Sequence, residues 1–382
     1  MIASDGRKIN FITAQEQLDS ACDRWSQANS LAIDTEFVRT DTFYPKPGLL
    51  QLADSENVYL IDPLEIESWD AFLDILQNPE MEFVLHSAGE DLSLLLSYFG
   101  TLPARIFDTQ LAAAYAGMGF SLSYQALVEL TIGITVPKEE TRSDWLQRPL
   151  TDKQLTYAAN DVCYLMTIRD QLLSMMNSNH TFDWFAEDSA QLLEVARKQE
   201  DPDSWKVLYA DISNAWRLDD TQLKALQVLA YWRETEARRR DKPRNWIARD
   251  NDLFALASAV GLNGSLTSGS LAEIEGLGKG LRQRYGKALL ELLADPPELT
   301  PIDVDLLNPP LPPRYRGVLK SWRKIVEQKA DTLAIAPELL ARKKWMHELL
   351  KGFQDSGELN WQPPMTGWRQ QELESSFMDA LD

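Results

Sequence analysis

The chain contains few cysteines, no long apolar run and fewer basic than acidic residues. Two cysteines in 382 residues exclude a disulfide framework and fit a reducing compartment. No basic segment followed by an apolar stretch opens the sequence, and no run of about 18 apolar residues occurs. We therefore expect a cytoplasmic protein without a membrane partner.

Lysine and arginine total 38 against 58 aspartates and glutamates, which gives a formal net charge of −20. This balance argues against a protein covered in positive charge. Any nucleic-acid binding must depend on local basic patches and on phosphate contacts through metal ions, and it should weaken as salt rises. The hydrophobic content of 44% is ample for packed cores, and the length predicts two or three domains.

Acidic residues are abundant, and one pair has an informative context. Asp34 and Glu36 lie at the end of the apolar run 31–33. In a strand, side chains two positions apart point to the same face, so the two carboxylates should project side by side. Solvated surface is the alternative, because such pairs are common in an acidic chain. Carboxylates at the end of an apolar strand are costly without a partner, and a metal ion is one such partner.

Three more candidates lie on predicted helices. Thr151 and Gln154 form a capping-box pattern that opens an apolar-periodic segment. Tyr157 and Asp161 are four residues apart and should share one face of that helix. Asp91 follows an apolar strand and a turn, and the alternative role for it is to complement a helix dipole. Four clustered carboxylates would repel one another, and two divalent cations would balance their charge.

The order of these motifs resembles the tyrosine-bearing branch of the DEDD exonucleases, and specifically the ribonuclease D family. The resemblance is carried by "LAIDTEFVRTDTFYPKPGLLQLA", "VLHSAGEDLSLL" and "LTYAANDVCYL", and extends to "IFDTQLAAAYAGMG" and "TRSDWLQRPLT". It implies a 3′→5′ exoribonuclease that hydrolyses the terminal phosphodiester, releases nucleoside 5′-monophosphates and matures tRNA precursors at a free 3′ end. The implied metal ligands for two Mg²⁺ or Mn²⁺ ions are Asp34, Glu36, Asp91 and Asp161, and Tyr157 would orient the attacking water.

Two alternative functions stay open on the residues alone. A DNA 3′→5′ exonuclease of the same superfamily would use the same carboxylates, because they handle either backbone. A non-catalytic RNA-binding adaptor would keep the fold, and a missing carboxylate would have favoured it. No carboxylate is missing from the motifs.

Further substrate-binding candidates surround the motifs. They are Thr35, Phe37, Gln51 and His86. Gln51 is a polar residue within an apolar strand, and His86 ends the strand before Asp91, where a structural histidine is the alternative. For Asp108, which stands where a strand passes into a helix, we favour a helix N-cap over a metal ligand.

Residues 8–175 alternate strands and helices, and strand signals vanish after about residue 205. Predicted strands lie at 9–12, 31–37, 49–53, 58–61 and 83–86, which indicates a mixed sheet flanked by helices. The resemblance adds that this sheet is ribonuclease-H-like. We predict an exonuclease domain at 1–205, a helical HRDC (helicase and ribonuclease D C-terminal) domain at 213–294, a proline-rich linker at 295–313 and a divergent second HRDC-like helical domain at 314–382.

The helical part carries the clearest basic clusters. Arg238, Arg239, Arg240 and Arg244 stand near Trp246, a combination that suits single-stranded RNA. A solvated helix face with a packed tryptophan is the alternative. The glycine-rich segment 276–280 lacks the features of a phosphate-binding loop, so we predict no nucleotide cofactor. The oligomeric state is open, with a monomer favoured.

Overall fold

The computed structural model describes residues 2–136, 143–261 and 266–381. Thr141 and Arg142, which begin the "TRSDWLQRPLT" stretch, lie outside the described residues. The chain divides into two compact units. The first comprises Met1–Val38, Pro45–Ala196 and Leu311–Asp382, and the second comprises Arg39–Tyr44 and Arg197–Pro310. We call them the sheet unit and the helical unit.

The sheet unit contains a mixed six-stranded sheet. Its strands are β1 (Lys8–Ile12), β2 (Ser30–Val38), β3 (Lys46–Ala53), β4 (Asn57–Ile61), β5 (Glu82–Leu85) and β6 (Arg105–Asp108). Their spatial order is β1-β4-β3-β2-β5-β6. β2, β3 and β4 form an antiparallel meander, whereas β1 pairs parallel with β4, β5 with β2, and β6 with β5. The predicted mixed sheet is confirmed.

Helices pack on both faces of this sheet. The helices between residues 15 and 199 are α1 (Gln15–Trp25), α2 (Asp70–Leu76), α3 (Gly89–Phe99), α4 (Thr109–Tyr115), α5 (Tyr124–Ile132), α6 (Asp152–Cys163), α7 (Leu165–Asn179) and α8 (Phe182–Gln199). One core joins α1, α2 and α3 to Leu31 and Ile33 of β2. A second core contains residues of the four helices from α4 through α7, which pack against Ala32 of β2. Because both faces are buried, β2 begins as a continuous apolar run and not as an alternating pattern.

The sequence predicts capping boxes at the starts of two helices, and only one of the two forms. The capping box of α6 is present: the Thr151 side chain accepts from the backbone of Gln154, whose side chain reaches back to the cap. Residues 13–16 have the Thr-x-x-Glu pattern that also predicts a capping box, but this prediction is wrong, because Ala14 caps α1 without a side-chain bond. The Thr13 backbone N–H instead donates to the Gln17 side chain.

The C-terminal helices belong to the sheet unit. They are α15 (Tyr315–Leu333), α16 (Pro337–Leu340), α17 (Lys343–Ser356) and α18 (Trp368–Asp379). Arg369 of α18 is buried; it pairs with Asp188 of α8 and donates to the Leu339 carbonyl at 2.7 Å. The Trp368 ring stacks on Trp184 of α8 at 4.4 Å. These helices therefore share a core with the helices that cover the sheet.

The helical unit has its own core. Its helices are α9 (Pro202–Trp205), α10 (Asp220–Arg240), α11 (Arg244–Ile247), α12 (Asp250–Ala259), α13 (Ser270–Glu273) and α14 (Lys279–Ala294). Buried Leu226, Leu256 and Leu289 belong to this core. Short 3₁₀ turns lie at Leu208–Asp211, Ala215–Arg217 and Val304–Leu306. The predicted all-α character of this part is confirmed within the described residues.

Candidate active site

Three of the predicted carboxylates converge at one point of the sheet unit. Carboxylate oxygens of Asp34, Glu36 and Asp161 all lie within 4.8 Å of one another. Asp34 and Glu36 project from β2 to the face that α6 covers, because they share the alternation of buried Ala32. Asp161 comes from α6 itself. The register of β2 and β3 shifts directly after Glu36, so the ladder is interrupted where the carboxylates gather.

Ionising all of these carboxylates at the same time is strongly unfavourable. Burial, with the Asp161 charge next, raises the pKa of Asp34 to about 8. Burial followed by the charges of Asp34, Asp161 and Asp91 raises the pKa of Glu36 to about 10. Burial also raises the pKa of Asp161 to about 7. The site is therefore arranged to bind positive charge, either as protons or as a cation.

Asp91 lies beside this group and is held by a hydrogen bond. It occupies the first turn of α3 and is buried. The Thr35 hydroxyl donates to its carboxylate at 2.5 Å. Burial, and then the Asp34 charge, raises the pKa of Asp91 well above its ordinary range. Thr35, which we predicted as a substrate contact, thus has its hydroxyl engaged in positioning Asp91.

Asp108 stabilises the turn between β5 and α3, which positions Asp91. Its carboxylate accepts from the backbone N–H groups of Gln110 and Leu111, which confirms the predicted N-cap of α4. It also accepts from the backbone N–H groups of Ser87 and Ala88, both at 3.0 Å. One buried carboxylate therefore fixes the turn between β5 and α3 as well as the start of α4.

Tyr157 lies on the same face of α6 as Asp161, as the spacing predicts. Burial, and then the charge of the nearby Asp161 carboxylate, raises the pKa of Tyr157 far above its ordinary value. The Trp145 ring lies 6.1 Å from the Tyr157 ring. Gly48 of β3 is required beside Trp145, because a Cβ at this position would lie 2.6 Å from the Trp145 Cβ.

Arg148 holds the segment before α6 in place, a role that the sequence motifs do not predict. Its guanidinium pairs with both carboxylate oxygens of buried Asp62, at 2.5 and 2.6 Å. It also donates to the carbonyls of Gly48 at 2.7 Å and Trp145 at 2.9 Å. Arg148 belongs to the stretch "TRSDWLQRPLT" that resembles the family, but sequence spacing does not reveal that its partner lies 86 residues away.

Removing this guanidinium should destabilise the sheet unit strongly. We expect Arg148→Met to lower the free energy of unfolding by about 3 kcal/mol, because Asp62 would be left buried and unpaired. Denaturant unfolding of the full chain measures the effect. The double variant Arg148→Met with Asp62→Leu should recover part of the loss, and an Arg148→Met protein as stable as wild type would contradict this role.

The remaining sheet-unit candidates differ in their surroundings. Both ring nitrogens of His86 are occupied, by the Thr109 hydroxyl at 3.0 Å and the Leu122 carbonyl at 3.1 Å. Burial lowers the pKa of His86. This geometry favours the structural alternative over a substrate contact. Phe37 is partly exposed directly after the register shift, and Gln51 is fully buried in β3.

The four predicted arginines all pair with glutamates and differ in their exposure. The Arg238 side chain is only 7% exposed and pairs with Glu200 and Glu234, a geometry that favours a structural role over the predicted RNA contact. Arg244 forms a bidentate salt bridge with the same buried Glu234. The side chains of Arg239 and Arg240 are 63% and 49% exposed, and both pair with Glu236. These two retain access to a polyanion.

A pocket of about 560 Å³ lies in the helical unit. Arg244 and Trp246 line it together with Phe43. Trp246 is 51% exposed, and the Lys242 amino group lies 5.8 Å from the centre of its ring. The pocket lining includes none of the converged carboxylates. Trp246 is therefore accessible, and the packed-tryptophan alternative does not hold for it.

The converged carboxylates fit divalent metal ions. Their donor set is oxygen alone, which suits hard cations such as Mg²⁺ and Mn²⁺. Asp34, Glu36 and Asp161 are close enough to share one ion, and Asp91 is near enough for its charge to act on Asp34 and Glu36. Divalent cations would relieve the repulsion that raises the pKa values of these groups.

A mixed sheet with an acidic cluster facing a tyrosine-bearing helix defines a class of nucleases, and family comparisons agree. A family model described as a 3′–5′ exonuclease matches residues 9–177, and an HRDC domain model matches residues 222–293. Residues 314–382 lie beyond both matches, so a second HRDC-like domain there stays a prediction.

The particular family follows from whole-chain relatives. The chain is 39% identical to ribonuclease D of Pseudomonas paraeruginosa over 98% of both chains. It is 36% identical to ribonuclease D of Escherichia coli over 97% of this chain and 98% of the relative. The chain therefore belongs to the ribonuclease D family, and the predicted enzyme class, a 3′→5′ exoribonuclease, is confirmed.

Solved structures agree with this fold. The crystal structure of Escherichia coli RNase D, described as an exoribonuclease involved in structured RNA processing, superimposes with a TM-score of 0.83 at 33% identity and covers 98% of each chain. The catalytic core of RRP6 from Trypanosoma brucei shares the fold at 18% identity, with a TM-score of 0.55 over 77% of this chain and 81% of that one. Within the described residues, we find no helix of the length and apolar character that a membrane crossing requires.

Proposed function

We propose that this chain shortens RNA from its 3′ end by metal-dependent hydrolysis of the terminal phosphodiester and releases nucleoside 5′-monophosphates. The observation that carries the proposal is the convergence of Asp34, Glu36 and Asp161 within 4.8 Å. Two Mg²⁺ or Mn²⁺ ions would be held there, with Asp91 as the fourth ligand. When bound, such ions stabilise the attacking and leaving oxygens of a displacement at phosphorus.

The protein groups around the carboxylates supply orientation. The Thr35 hydroxyl donates to one carboxylate oxygen of Asp91 and so orients it. Asp108 accepts from a backbone N–H group of the turn before α3 and so fixes that turn. The Tyr157 phenol lies close enough to Asp161 for the Asp161 charge to raise its pKa. Its pKa lies far above neutrality, so it keeps its proton and acts by orienting the attacking water and not as a base.

Replacing the phenol separates orientation from metal binding. We expect Tyr157→Phe to lower the cleavage rate by roughly 10²-fold, because the carboxylates remain and only the orienting hydroxyl is lost. Calorimetric titration with Mn²⁺ should give an affinity near that of wild type. An equal loss of rate and cation affinity would contradict the orienting role.

The basic residues of the helical unit support RNA as the substrate. Exposed Arg239 and Arg240 can meet phosphates, and half-exposed Trp246 offers a ring for stacking. Since the net charge is −20, such local contacts must compensate for general repulsion of a polyanion. Precursors of tRNA are the substrates that we favour, because the RNase D of Escherichia coli is described as processing structured RNA.

Cellular context completes the proposal. Cys22 and Cys163 are both buried with unoxidised thiols, which supports a reducing, cytoplasmic location. We favour a monomer that uses no nucleotide cofactor.

A single assay tests the proposed reaction. RNA labelled at its 5′ end is incubated with the protein and Mg²⁺, and in parallel with a chelator. We expect products that shorten one nucleotide at a time from the 3′ end with Mg²⁺ and none with the chelator. Internal cuts, or tight binding without products, would refute the proposal. A 2′-deoxy substrate cleaved as well as RNA would instead favour the DNA exonuclease alternative.

A further inference from the structure

Gln51 is a buried amide that lacks a partner. Its side chain is fully buried in β3. Neither its amide nitrogen nor its amide oxygen has a hydrogen-bond partner among the residues that the structure describes. A buried polar group left unpaired is destabilising, and the great majority of such groups in proteins are paired. An isolated amide of this kind calls for a functional explanation.

The position of Gln51 in the sheet places it beside the metal-site carboxylates. Gln51 pairs with Asp34 in the antiparallel register of β2 and β3. Side chains directly opposite each other in such a pair lie on the same face, with Cβ atoms about 4.5–5.5 Å apart. Gln51 also follows the alternation of Leu49 and Ala53, which belong to the core under α6. Its amide therefore projects to the face where Asp34 lies.

Several of the side chains around Gln51 on this face are apolar. Its register neighbour on β4 is Leu60, and the α6 residues in the same core include Ala158, Ala159 and Val162. The directly opposed side chain that can accept a hydrogen bond from the amide is the Asp34 carboxylate. A terminal amide torsion is soft, so the amide can turn toward Asp34 without moving the backbone.

We propose that Gln51 is a positioning residue that donates its amide N–H to the Asp34 carboxylate when a divalent cation draws the other Asp34 oxygen into the site. Groups that hydrogen-bond to metal ligands in this way fix the ligand orientation and strengthen cation binding. Because Gln51 is fully buried, it acts through Asp34 and does not contact RNA, which revises the predicted substrate role. The inference rests on the proposed metal-dependent function.

The variant Gln51→Met tests this role, because methionine has a similar length and no amide. We expect Mn²⁺ affinity, measured by calorimetry, to fall roughly 10- to 100-fold. The melting temperature in chelator should rise by a few degrees, because the unpaired amide is gone. Gln51→Leu should likewise lower Mn²⁺ affinity and raise the melting temperature in chelator. Leu52→Met is the matched control: it changes a buried residue of β3 on the opposite face of the sheet, in the core with Ile33, and should leave Mn²⁺ affinity at the wild-type value.

Two results would overturn the inference. One is a Gln51→Met protein that folds and binds Mn²⁺ as tightly as wild type. The other is a Gln51→Met protein whose melting temperature in chelator falls, which would indicate that the Gln51 amide stabilises the metal-free fold and is not left unpaired. If wild type binds no Mn²⁺ and leaves RNA intact, the proposed function fails and this inference fails with it.

Discussion

Asp34→Asn should reduce RNA cleavage by about 10³-fold or more, the largest loss that we expect from one substitution. Asp34 is the centre of the cluster, since its charge contributes to the raised pKa values of both Glu36 and Asp91. An amide can offer one neutral oxygen to a cation but no charge. The loss of several kcal/mol of charge stabilisation corresponds to at least three powers of ten in rate.

The same variant should be more stable than wild type in the absence of metal ions. Asparagine removes one member of a repelling group, so the melting temperature of Asp34→Asn in chelator should rise at neutral pH. Asp74→Asn is the matched control, because Asp74 is an exposed acid on α2 in the same unit. Its cleavage rate should match wild type. An Asp34→Asn enzyme that keeps a tenth of wild-type activity would exclude a central role for this carboxylate.

Metal-free protein should lose stability as pH rises from about 4 to about 8, and Mg²⁺ should restore it. Folding raises the pKa values of Asp161 and Asp34 from 3.8 to about 7 and about 8, and that of Glu36 from 4.5 to about 10. Across this window the folded state holds protons that the unfolded chain has released. Stability therefore decreases with pH, because the unfolded state binds fewer protons.

Mg²⁺ should reverse this trend by replacing the protons. Its stabilising effect should be small at pH 5 and large at pH 8, where a single site at 100 times its dissociation constant adds about 2.7 kcal/mol. Thermal unfolding from pH 5 to 9, with Mg²⁺ or chelator, measures both effects. The slope of stability against pH should be shallower in Asp34→Asn than in wild type. A wild-type protein that gains stability with pH in chelator, or ignores Mg²⁺ at pH 8, would contradict the account.

The sequence was sufficient for the parts of the site that depend on local periodicity. A strand alternates its side chains, so Asp34 and Glu36 had to share a face. A helix brings residues four apart together, so Tyr157 and Asp161 had to be neighbours. The apolar segments at 31–37, 49–53 and 58–61 were sufficient to predict the strands β2, β3 and β4. The convergence of these elements was inferred from the resemblance, because periodicity within an element does not determine which elements meet.

Contacts between distant segments account for what the sequence did not reveal. Arg148 reaches Asp62, and Thr35 reaches Asp91 across 56 residues. Arg238 was predicted to meet RNA because a run of arginines suggests a basic surface. Its burial against Glu200 and Glu234 depends on how α10 packs. The importance of Gln51 became apparent only from its register opposite Asp34 and its lack of a partner.

We expect Asp34, Glu36, Asp91 and Asp161 to form a divalent-cation site on which RNA cleavage depends. Anomalous diffraction from crystals grown with Mn²⁺ would locate the ions at these carboxylates. We predict two anomalous peaks about 3.5–4 Å apart among these four carboxylates, and their loss in Asp34→Asn crystals. Mn²⁺-containing crystals with no peak at these carboxylates, from protein that still degrades RNA, would contradict the account.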